Sequence, residues 1–176
     1  MKVVATIRAL QADHPGKGLC RGPFSTLPCT LDVGFPAVSV LLALKAAGLP
    51  QPAGALLFCP GVDLLRSPKT RPNTEAYLGA HPPDDPVVSP LTADLAGLPP
   101  MLVQVATGDE WCEDGKALVA RAREHGVDAR LELYPVGTHV FQVFWSFLPE
   151  AREALEQAGR FIDAIAAGRD AAAGFG

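Results

Sequence analysis

Strand-like runs and helix-like patterns alternate through the second half of this sequence, and the alternation constrains the fold more than any other feature. The runs MLVQVA and ARLELYP have the apolar character of strands, and a segment with apolar residues at helical spacing follows each. The four segments are 101–106, 113–125, 129–135 and 150–166. Strands that alternate with helices form a parallel sheet covered by helices, so the pattern predicts an α/β fold.

Further elements are predicted before residue 101. A short buried strand within GALLFCPGVDL breaks at Pro60-Gly61, and helical spacing appears twice before it. A long segment rich in proline and polar residues is interpreted as loops and turns. These elements are helices at 2–12 and 37–47, a strand within 54–59, the loop segment 66–100 and one helical turn at 74–78. We therefore expect a sheet of about three to four strands flanked by helices.

One segment has neither the periodicity of a helix nor that of a strand. Residues 20–36, CRGPFSTLPCTLDVGFP, contain three prolines and two cysteines, and they commit to neither helix nor strand. At the other end, residues 168–176, GRDAAAGFG, are typical of a frayed tail. A chain of 176 residues corresponds to one domain, so we predict a single domain over 1–176.

Charge and hydropathy exclude several classes of function. The formal net charge of −4 and the pI near 5.5 leave no basic stripe, so we expect no nucleic-acid partner. The longest apolar run, 37–44, is far shorter than the ~20 residues of a membrane helix. No signal peptide is visible. These features favour a cytoplasmic protein.

The cysteines predict neither a metal site nor a disulfide framework. Four of them are spread along the chain with no C-x-x-C pair: Cys20, Cys29, Cys59 and Cys112. Reduced thiols are typical of the cytoplasm. We predict no metal and no cofactor.

Two polar residues follow consecutive strands of the predicted sheet. Asp109 follows the strand 101–106, and His139 follows the strand 129–135. The carboxyl ends of parallel strands share one edge, and neighbouring strands lie ~4.8 Å apart, so the two side chains should come within hydrogen-bonding reach. A carboxylate that orients an imidazole makes it a general base. Taken singly, His139 could be an ordinary loop histidine, and Asp109 an acid favoured by a helix N-terminus.

From Gly54 to the last helix the sequence resembles the hormone-sensitive-lipase-like carboxylesterases of the α/β-hydrolase fold. The elements that carry the resemblance are FCPGVDL, S-P-L-x-A-D-L-x-G-L-P-P, the D-E-x-x-x-D-G turn and the H-x-F loop. The resemblance covers about two-thirds of the chain. It implies a serine esterase in which Asp109 is the acid and His139 the base of the catalytic triad.

The family's nucleophile motif is not found in this sequence. The resemblance implies a serine in a G-x-S-x-G elbow just before helix 37–47, where residues 20–36 lie instead, and an H-G-G-G oxyanion loop further upstream. Neither motif occurs. The chain begins where the family's helix before the elbow would be, so we expect a truncated α/β-hydrolase domain.

No serine replaces the missing nucleophile convincingly. Ser25 lacks the flanking glycines of a sharp turn, and Ser39 lies within a helical pattern, where its hydroxyl bonds most simply to a preceding carbonyl. Ser89 belongs to the S-P-L element and is interpreted as structural.

Other polar and aromatic residues have simpler interpretations. Asp84-Asp85, beside three prolines, is interpreted as a solvated turn rather than a carboxylate pair. Five aromatic residues either line an acyl pocket or belong to the core: Trp111, Phe141, Phe144, Trp145 and Phe147. The remaining histidines show no ligand spacing: His14, His81 and His125.

Two hypotheses about function follow. The first is a carboxylesterase for small acyl esters, impaired or inactive in this chain because the serine is missing. The second is a non-catalytic hydrolase remnant that acts as a structural or interaction protein. Because the sheet lacks strands, we also expect an exposed apolar patch along strand 54–59 or helix 37–47, with self-association through an exposed sheet edge.

Overall fold

The computed structural model describes residues 29–30, 36–63, 82, 84–86 and 89–173. The predicted helix at 2–12, the helical turn at 74–78 and most of the segment 20–36 lie outside these residues. The single-domain organisation of 1–176 therefore stays a prediction.

The described residues form four strands, three α-helices and two 3₁₀ turns. The strands are β1 (Cys29–Thr30), β2 (Ala55–Phe58), β3 (Met101–Ala106) and β4 (Ala129–Tyr134). The α-helices are α1 (Pro36–Ala46), α2 (Cys112–Glu124) and α3 (Pro149–Ala173). The 3₁₀ turns span Pro90–Thr92 and Phe141–Phe144.

The strands make one parallel sheet in the order β1-β2-β3-β4, so the predicted α/β fold with three to four strands is confirmed. The register pairs Ala55 with Met101 and Met101 with Ala129, which aligns the starts of the three longer strands. Because the strands run in parallel, their carboxyl ends lie along one edge of the sheet.

Helices cover both faces of the sheet. Side chains alternate between the faces along each strand, as a pleated strand requires. On one face Leu57 and Val103 pack in a cluster with residues of α1 and α2. On the other face Leu56 and Leu102 pack against Ala158 and Phe161 of α3. Strands β2 and β3 are buried on both sides, which explains their continuous apolar sequences, whereas β4 is partly exposed and carries charged residues.

Helix ends agree with the glycine signals in the sequence. Gly48, after α1, and Gly126, after α2, both adopt positive φ angles of 62° and 76°. Glycine takes this conformation at little cost, and it ends a helix by turning the chain away from the axis.

The tail predicted to fray at 168–176 is helical as far as Ala173, and its fraying stays a prediction. Helix α3 continues through these residues, and residues 174–176 lie outside the described part. The run of three alanines at 171–173 has the highest intrinsic helix propensity, so a single glycine at 168 does not end the helix.

The predicted apolar patch along strand 54–59 or helix 37–47 is also wrong. Leu56 and Leu57 are buried in β2, and Val38 and Leu41 are buried in α1. These elements pack against the sheet and its neighbouring helices, which leaves their apolar surface covered. The large apolar side chains that the described residues do expose lie elsewhere: Leu133, Val143, Trp145, Phe147 and Leu155.

No helix in the described part of the chain is both long enough and apolar enough to span a membrane.

Candidate active site

Asp109 and His139 meet at the carboxyl edge of the sheet. Asp109 lies three residues beyond β3 and His139 five residues beyond β4. The Oδ2 atom of Asp109 lies 2.7 Å from the Nδ1 atom of His139. The contact expected from the sequence is therefore present, while the catalytic role of the two residues stays a prediction.

The two partners differ in their access to solvent. The Asp109 side chain is 3% exposed and that of His139 is 43% exposed. The second carboxylate oxygen of Asp109 accepts a hydrogen bond from the Trp111 N–H at 3.2 Å, just before α2. Asp109 is thus held by the backbone on one side and contacts the imidazole on the other. This leaves Nε2 of His139 as the ring nitrogen for a reacting group.

Two glycines allow the loops that carry the pair to approach closely. The Gly108 N–H donates to the Val136 carbonyl at 2.9 Å. A Cβ atom on Gly108 would lie 2.8 Å from Cα of Gly137, whereas a Cβ on Gly137 would meet no atom within 4 Å. The sequence showed both glycines, but only the pairing of the strands places them opposite one another.

A third residue, Cys59, borders the pair. It is fully buried directly after β2, so three neighbouring strands each contribute one side chain to this edge. Burial raises the pKa of the Cys59 thiol to about 11; backbone hydrogen bonds from Ala106 and Val140 oppose this rise, and Asp109 adds to it. From the sequence alone, Cys59 was predicted only to be a reduced thiol.

Backbone strain is concentrated around the same group. Cys59 and Val140 have φ angles of 47° and 49°, and within the described residues they are the two non-glycine residues with positive φ. A β-branched residue such as valine adopts this region at a cost. Both strained residues adjoin the Asp109–His139 pair, so the surrounding packing holds the site in a fixed shape.

Asp114 fastens the loop after β2 to helix α2. Its side chain is buried, and its Oδ2 accepts hydrogen bonds from the N–H groups of Val62 and Asp63 at 2.9 and 3.0 Å. In the D-E-x-x-x-D-G turn, Asp109 thus contacts His139, and Asp114 holds the neighbouring loop. No role was predicted for Asp114 from the sequence, although its position in the first turn of a helix was a signal.

A buried polar network supports the loop that carries His139. Gln104 of β3 donates to the carbonyl of Ala154 at 2.7 Å and to Glu132 at 2.9 Å. Its oxygen accepts a hydrogen bond from Gln142, in the 3₁₀ turn just beyond His139. Tyr134 also donates to Glu132, and burial, followed by that carboxylate, raises the pKa of the Tyr134 phenol above its usual range. The network connects β3, β4, α3 and the His139 loop.

An apolar surface cavity of about 480 Å³, shallow and largely open to solvent, lies beside the His139 loop. Its lining consists of Val136, Gly137, Thr138, Phe144, Phe147 and Leu148. The five aromatic residues named from the sequence therefore lie in different environments. Phe144 and Phe147 line the cavity, while Phe141 is core and packs on Tyr134 with ring centroids 5.0 Å apart. Trp145 is exposed and Trp111 is half-buried.

A second histidine–aspartate pair lies at the other end of α2. His125, at the end of α2, contacts Asp94 with 2.8 Å between Nδ1 and Oδ1. The Lys45 ammonium donates to Asp94 and holds the pKa of that carboxyl well below its usual range, with smaller contributions from the Ala96 N–H and His125. Within the described residues, no cysteine joins this pair to form a cluster of three.

The remaining candidates take no part in the Asp109–His139 contact. Ser39 lies in α1, and Ser89 is buried before the first 3₁₀ turn. Asp84 lies exposed in a turn and Asp85 is partly buried. Ser25, His14 and His81 fall outside the described residues.

The sequence pattern of the alpha/beta hydrolase fold family matches residues 36–143, which include Cys59, Asp109 and His139. Curated relatives include an acetyl-hydrolase and an esterase. The chain is 35% identical over 142 residues to an acetyl-hydrolase of Streptomyces hygroscopicus, covering 72% of this chain and 48% of that protein. It is 33% identical over 146 residues to an esterase of Acinetobacter venetianus, covering 73% and 48%.

Solved structures of an esterase and a lipase homologue superpose on this chain. An esterase from the bacterial hormone-sensitive lipase family superposes with a TM-score of 0.68 at 35% identity, covering 72% of this chain and 48% of that one. A hormone-sensitive lipase homologue from a metagenome library superposes with a TM-score of 0.71 at 27% identity, covering 93% and 61%. The chain spans about half the length of the curated relatives it matches.

Proposed function

The chain belongs to the α/β-hydrolase fold family, among its esterases and lipases, and from that premise we propose a carboxylic ester hydrolase of the serine type. In this proposal Asp109 is the acid and His139 the base of the triad. The observation that carries it is the 2.7 Å contact between the buried carboxylate and the accessible imidazole at the tips of neighbouring strands.

The geometry suits general base catalysis. The Asp109 carboxylate fixes the proton of His139 on Nδ1, so the lone pair of Nε2 is available to take the proton of a serine hydroxyl. The hydroxyl oxygen then attacks the ester carbonyl, and the imidazolium returns its proton to the leaving alcohol. Asp109 stabilises the imidazolium while it exists. Water repeats the sequence to release the acid from the acyl-enzyme.

The apolar cavity beside His139 supports a small acyl ester as the substrate class. Phe144, Phe147 and Leu148 present apolar surface next to the residues that precede the base. A pocket of this kind holds hydrocarbon, while polar groups fix the ester at its edge. We propose that the acyl or alcohol portion of the ester lies there.

We further propose that this chain alone is impaired as an esterase. No G-x-S-x-G sequence occurs among the 176 residues, so the hydroxyl that His139 would activate is not supplied by the family's motif. The alternative of a non-catalytic remnant has less support, because the named relatives are an acetyl-hydrolase and an esterase.

A chimera tests the roles of the pair directly. Residues 36–176 would replace the corresponding part of the Streptomyces hygroscopicus acetyl-hydrolase, whose remaining part supplies the rest of the enzyme. We expect hydrolysis of p-nitrophenyl acetate, with kcat/KM lowered roughly 10⁴-fold by Asp109→Asn and at least as much by His139→Ala. His125→Ala is the matched control, since it removes an imidazole from an equally short aspartate contact and should leave activity intact.

An active chimera that tolerates His139→Ala would contradict the assignment of the base. For the impairment, the unmodified chain should give no burst of p-nitrophenol and no labelling by an organophosphonate probe. A burst abolished by Ser25→Ala but not by Ser39→Ala would instead identify Ser25 as a nucleophile.

The cellular setting completes the proposal. We propose a cytoplasmic enzyme, because the two cysteines in the described residues, Cys59 and Cys112, are free thiols. This mechanism requires no partner other than the ester, and the net charge of −4 argues against a nucleic-acid partner.

A further inference from the structure

The edge that holds the Asp109–His139 pair also has the composition of a metal site. The Cys59 sulfur, a carboxylate oxygen of Asp109 and a ring nitrogen of His139 all lie within 4.8 Å of one another. Among the described residues this is the one group of three such ligands. Each ligand follows a different strand, so the sheet itself fixes their spacing.

The spacing is close to what a tetrahedral ion needs. Zinc bonds of ~2.0 Å to nitrogen and oxygen and ~2.3 Å to sulfur place neighbouring ligand atoms roughly 3.3–3.8 Å apart. The Asp109–His139 separation of 2.7 Å is shorter than this range, and the other ligand atoms lie within 4.8 Å, so the side chains would adjust to bind the ion. Three ligands from the protein leave the fourth position for water, as in open zinc sites.

We propose that Cys59, Asp109 and His139 form a binding site for a thiophilic divalent metal ion, Zn²⁺ or its analogue Co²⁺. The donor set of sulfur, imidazole nitrogen and carboxylate oxygen suits these ions and not Mg²⁺ or Ca²⁺, which require oxygen. A thiolate and a carboxylate together neutralise the charge of the ion, so the buried site carries no net charge when filled.

Proton balance predicts how binding depends on pH. Three metal–ligand bonds form, the S–H bond of Cys59 breaks, and its proton goes to solvent. The ion occupies Nδ1 in place of the hydrogen bond to Asp109, so the ring proton moves to Nε2. A thiol must lose its proton to bind the ion, so binding should release protons to solvent.

The ion would also act as an inhibitor. With Nδ1 bound to metal and the proton on Nε2, His139 has no lone pair to accept a proton from a nucleophile. This consequence rests on the proposed function, whereas metal binding itself does not. The two are therefore tested by separate measurements.

The experiment uses the full 176-residue chain, reduced and free of metal. Calorimetric titration with Zn²⁺ should show one ion per chain, and Zn²⁺ should raise the Tm because it binds the folded state. Titration with Co²⁺ should produce a thiolate-to-cobalt charge-transfer band together with the visible bands of a tetrahedral site.

Ligand variants and matched controls locate the site. Cys59→Ser should lower affinity about 100-fold or more and remove the charge-transfer band, since even partners outside the ligand shell contribute 10–100-fold. His139→Gln should lower affinity similarly, and its exposed position makes it tolerable for folding. Cys112→Ser and His125→Gln should bind as the wild type does.

Several results would overturn the proposal. These are no saturable binding by the wild type, unchanged affinity in His139→Gln, or a charge-transfer band that is lost in Cys112→Ser instead. If Cys59→Ser fails to fold, the His139→Gln result and the thiolate-to-cobalt band of the wild type still decide. If the ion binds but does not inhibit the chimera, the metal site stands and the assigned catalytic role of His139 fails.

Discussion

At the scale of single residues, the site depends on groups that sequence patterns mark only weakly. Asp109 and His139 are visible as strand-tip residues, but the absence of a side chain at Gly108 is what brings their loops together. In the sequence Cys59 is an isolated cysteine, and only the pairing of β2 with β3 places it beside Asp109. The chemical role of each of these residues depends on a side chain that follows another strand.

Gly108→Ala should separate the two loops. The added Cβ would lie 2.8 Å from Cα of Gly137, a backbone atom that cannot rotate away. Overpacking of this kind costs about 1–3 kcal/mol, so urea denaturation should show a lower free energy of unfolding. Gly137→Ala is the control with the same chemical change and open space, and it should cost clearly less. Equal losses in both variants would contradict the close approach.

The thiol of Cys59 should make the protein lose stability at high pH. Burial holds the folded thiol protonated up to a pKa of about 11, while the unfolded thiol ionises near its ordinary value of 9.0. Above that value the unfolded state releases a proton that the folded state keeps, so stability falls with rising pH. The loss should approach the order of 2 kcal/mol at pH 11 and be absent below pH 8.

Urea denaturation of the wild type and of Cys59→Ala between pH 7 and 11 measures this effect. The variant should lose less free energy of unfolding over the range than the wild type. Parallel curves for the two proteins would show that the thiol does not titrate differently on folding.

At the scale of elements, the His139 loop owes its position to β3 and α3 as well as to β4. The 3₁₀ turn Phe141–Phe144 follows His139 at once, and Gln142 anchors it to Gln104 in the centre of the sheet. A buried amide in a parallel strand is costly unless it is satisfied. Gln104 meets this requirement through three elements, and its hydrogen bonds hold the loop in place.

A double-mutant cycle on Gln104 and Gln142 should reveal this coupling. Gln104→Met leaves the Gln142 amide without its partner and should cost about 1–3 kcal/mol. Adding Gln142→Met removes the orphaned group, so the double variant should be more stable than the sum of the single losses implies, by about 0.5–3 kcal/mol. Four urea denaturation curves give the coupling energy. Simple additivity would mean that the 3.2 Å contact does not fix the loop.

At the scale of the whole molecule, the sheet has two different edges. On one side β1 contributes only two residues, and on the other β4 is the last strand in the described sheet. Leu133 of β4 is 48% exposed, and Trp145 and Phe147 beyond it are 57% and 73% exposed. Exposed apolar surface of this kind favours contact with other molecules. Self-association through a sheet edge therefore stays a prediction.

Sedimentation velocity over a range of protein concentrations tests that prediction. The weight-average mass should rise with concentration, and Leu133→Lys should oppose the rise because lysine on an edge strand disfavours strand pairing. Trp145→Ser is the comparison, an equally exposed apolar residue off the strand, and it should leave the association in place. If Trp145→Ser prevented the association and Leu133→Lys did not, the contact would involve the exposed aromatic residues Trp145 and Phe147. A monomer at all concentrations would contradict the prediction.

The sequence by itself determined the parallel α/β architecture and the placement of Asp109 and His139 after neighbouring strands. Apolar periodicity and helix-ending glycines such as Gly48 and Gly126 are local signals, because the backbone responds to nearby residues. The last helix extends beyond the predicted end at residue 166 as far as Ala173, where three alanines of high helix propensity follow Gly168. Predictions of exposed surface along β2 and α1 failed because burial depends on what packs from elsewhere in the chain.

Only the tertiary structure decided how the strand tips combine. The 2.8 Å approach of a Gly108 Cβ to Gly137, the hold of Asp114 on Val62 and Asp63, and the burial of Cys59 beside Asp109 and His139 all join residues from separate strands. No period in the sequence encodes such distances, since they arise when the register of β2, β3 and β4 aligns their carboxyl ends. The chemistry of this edge is therefore a property of the assembled sheet.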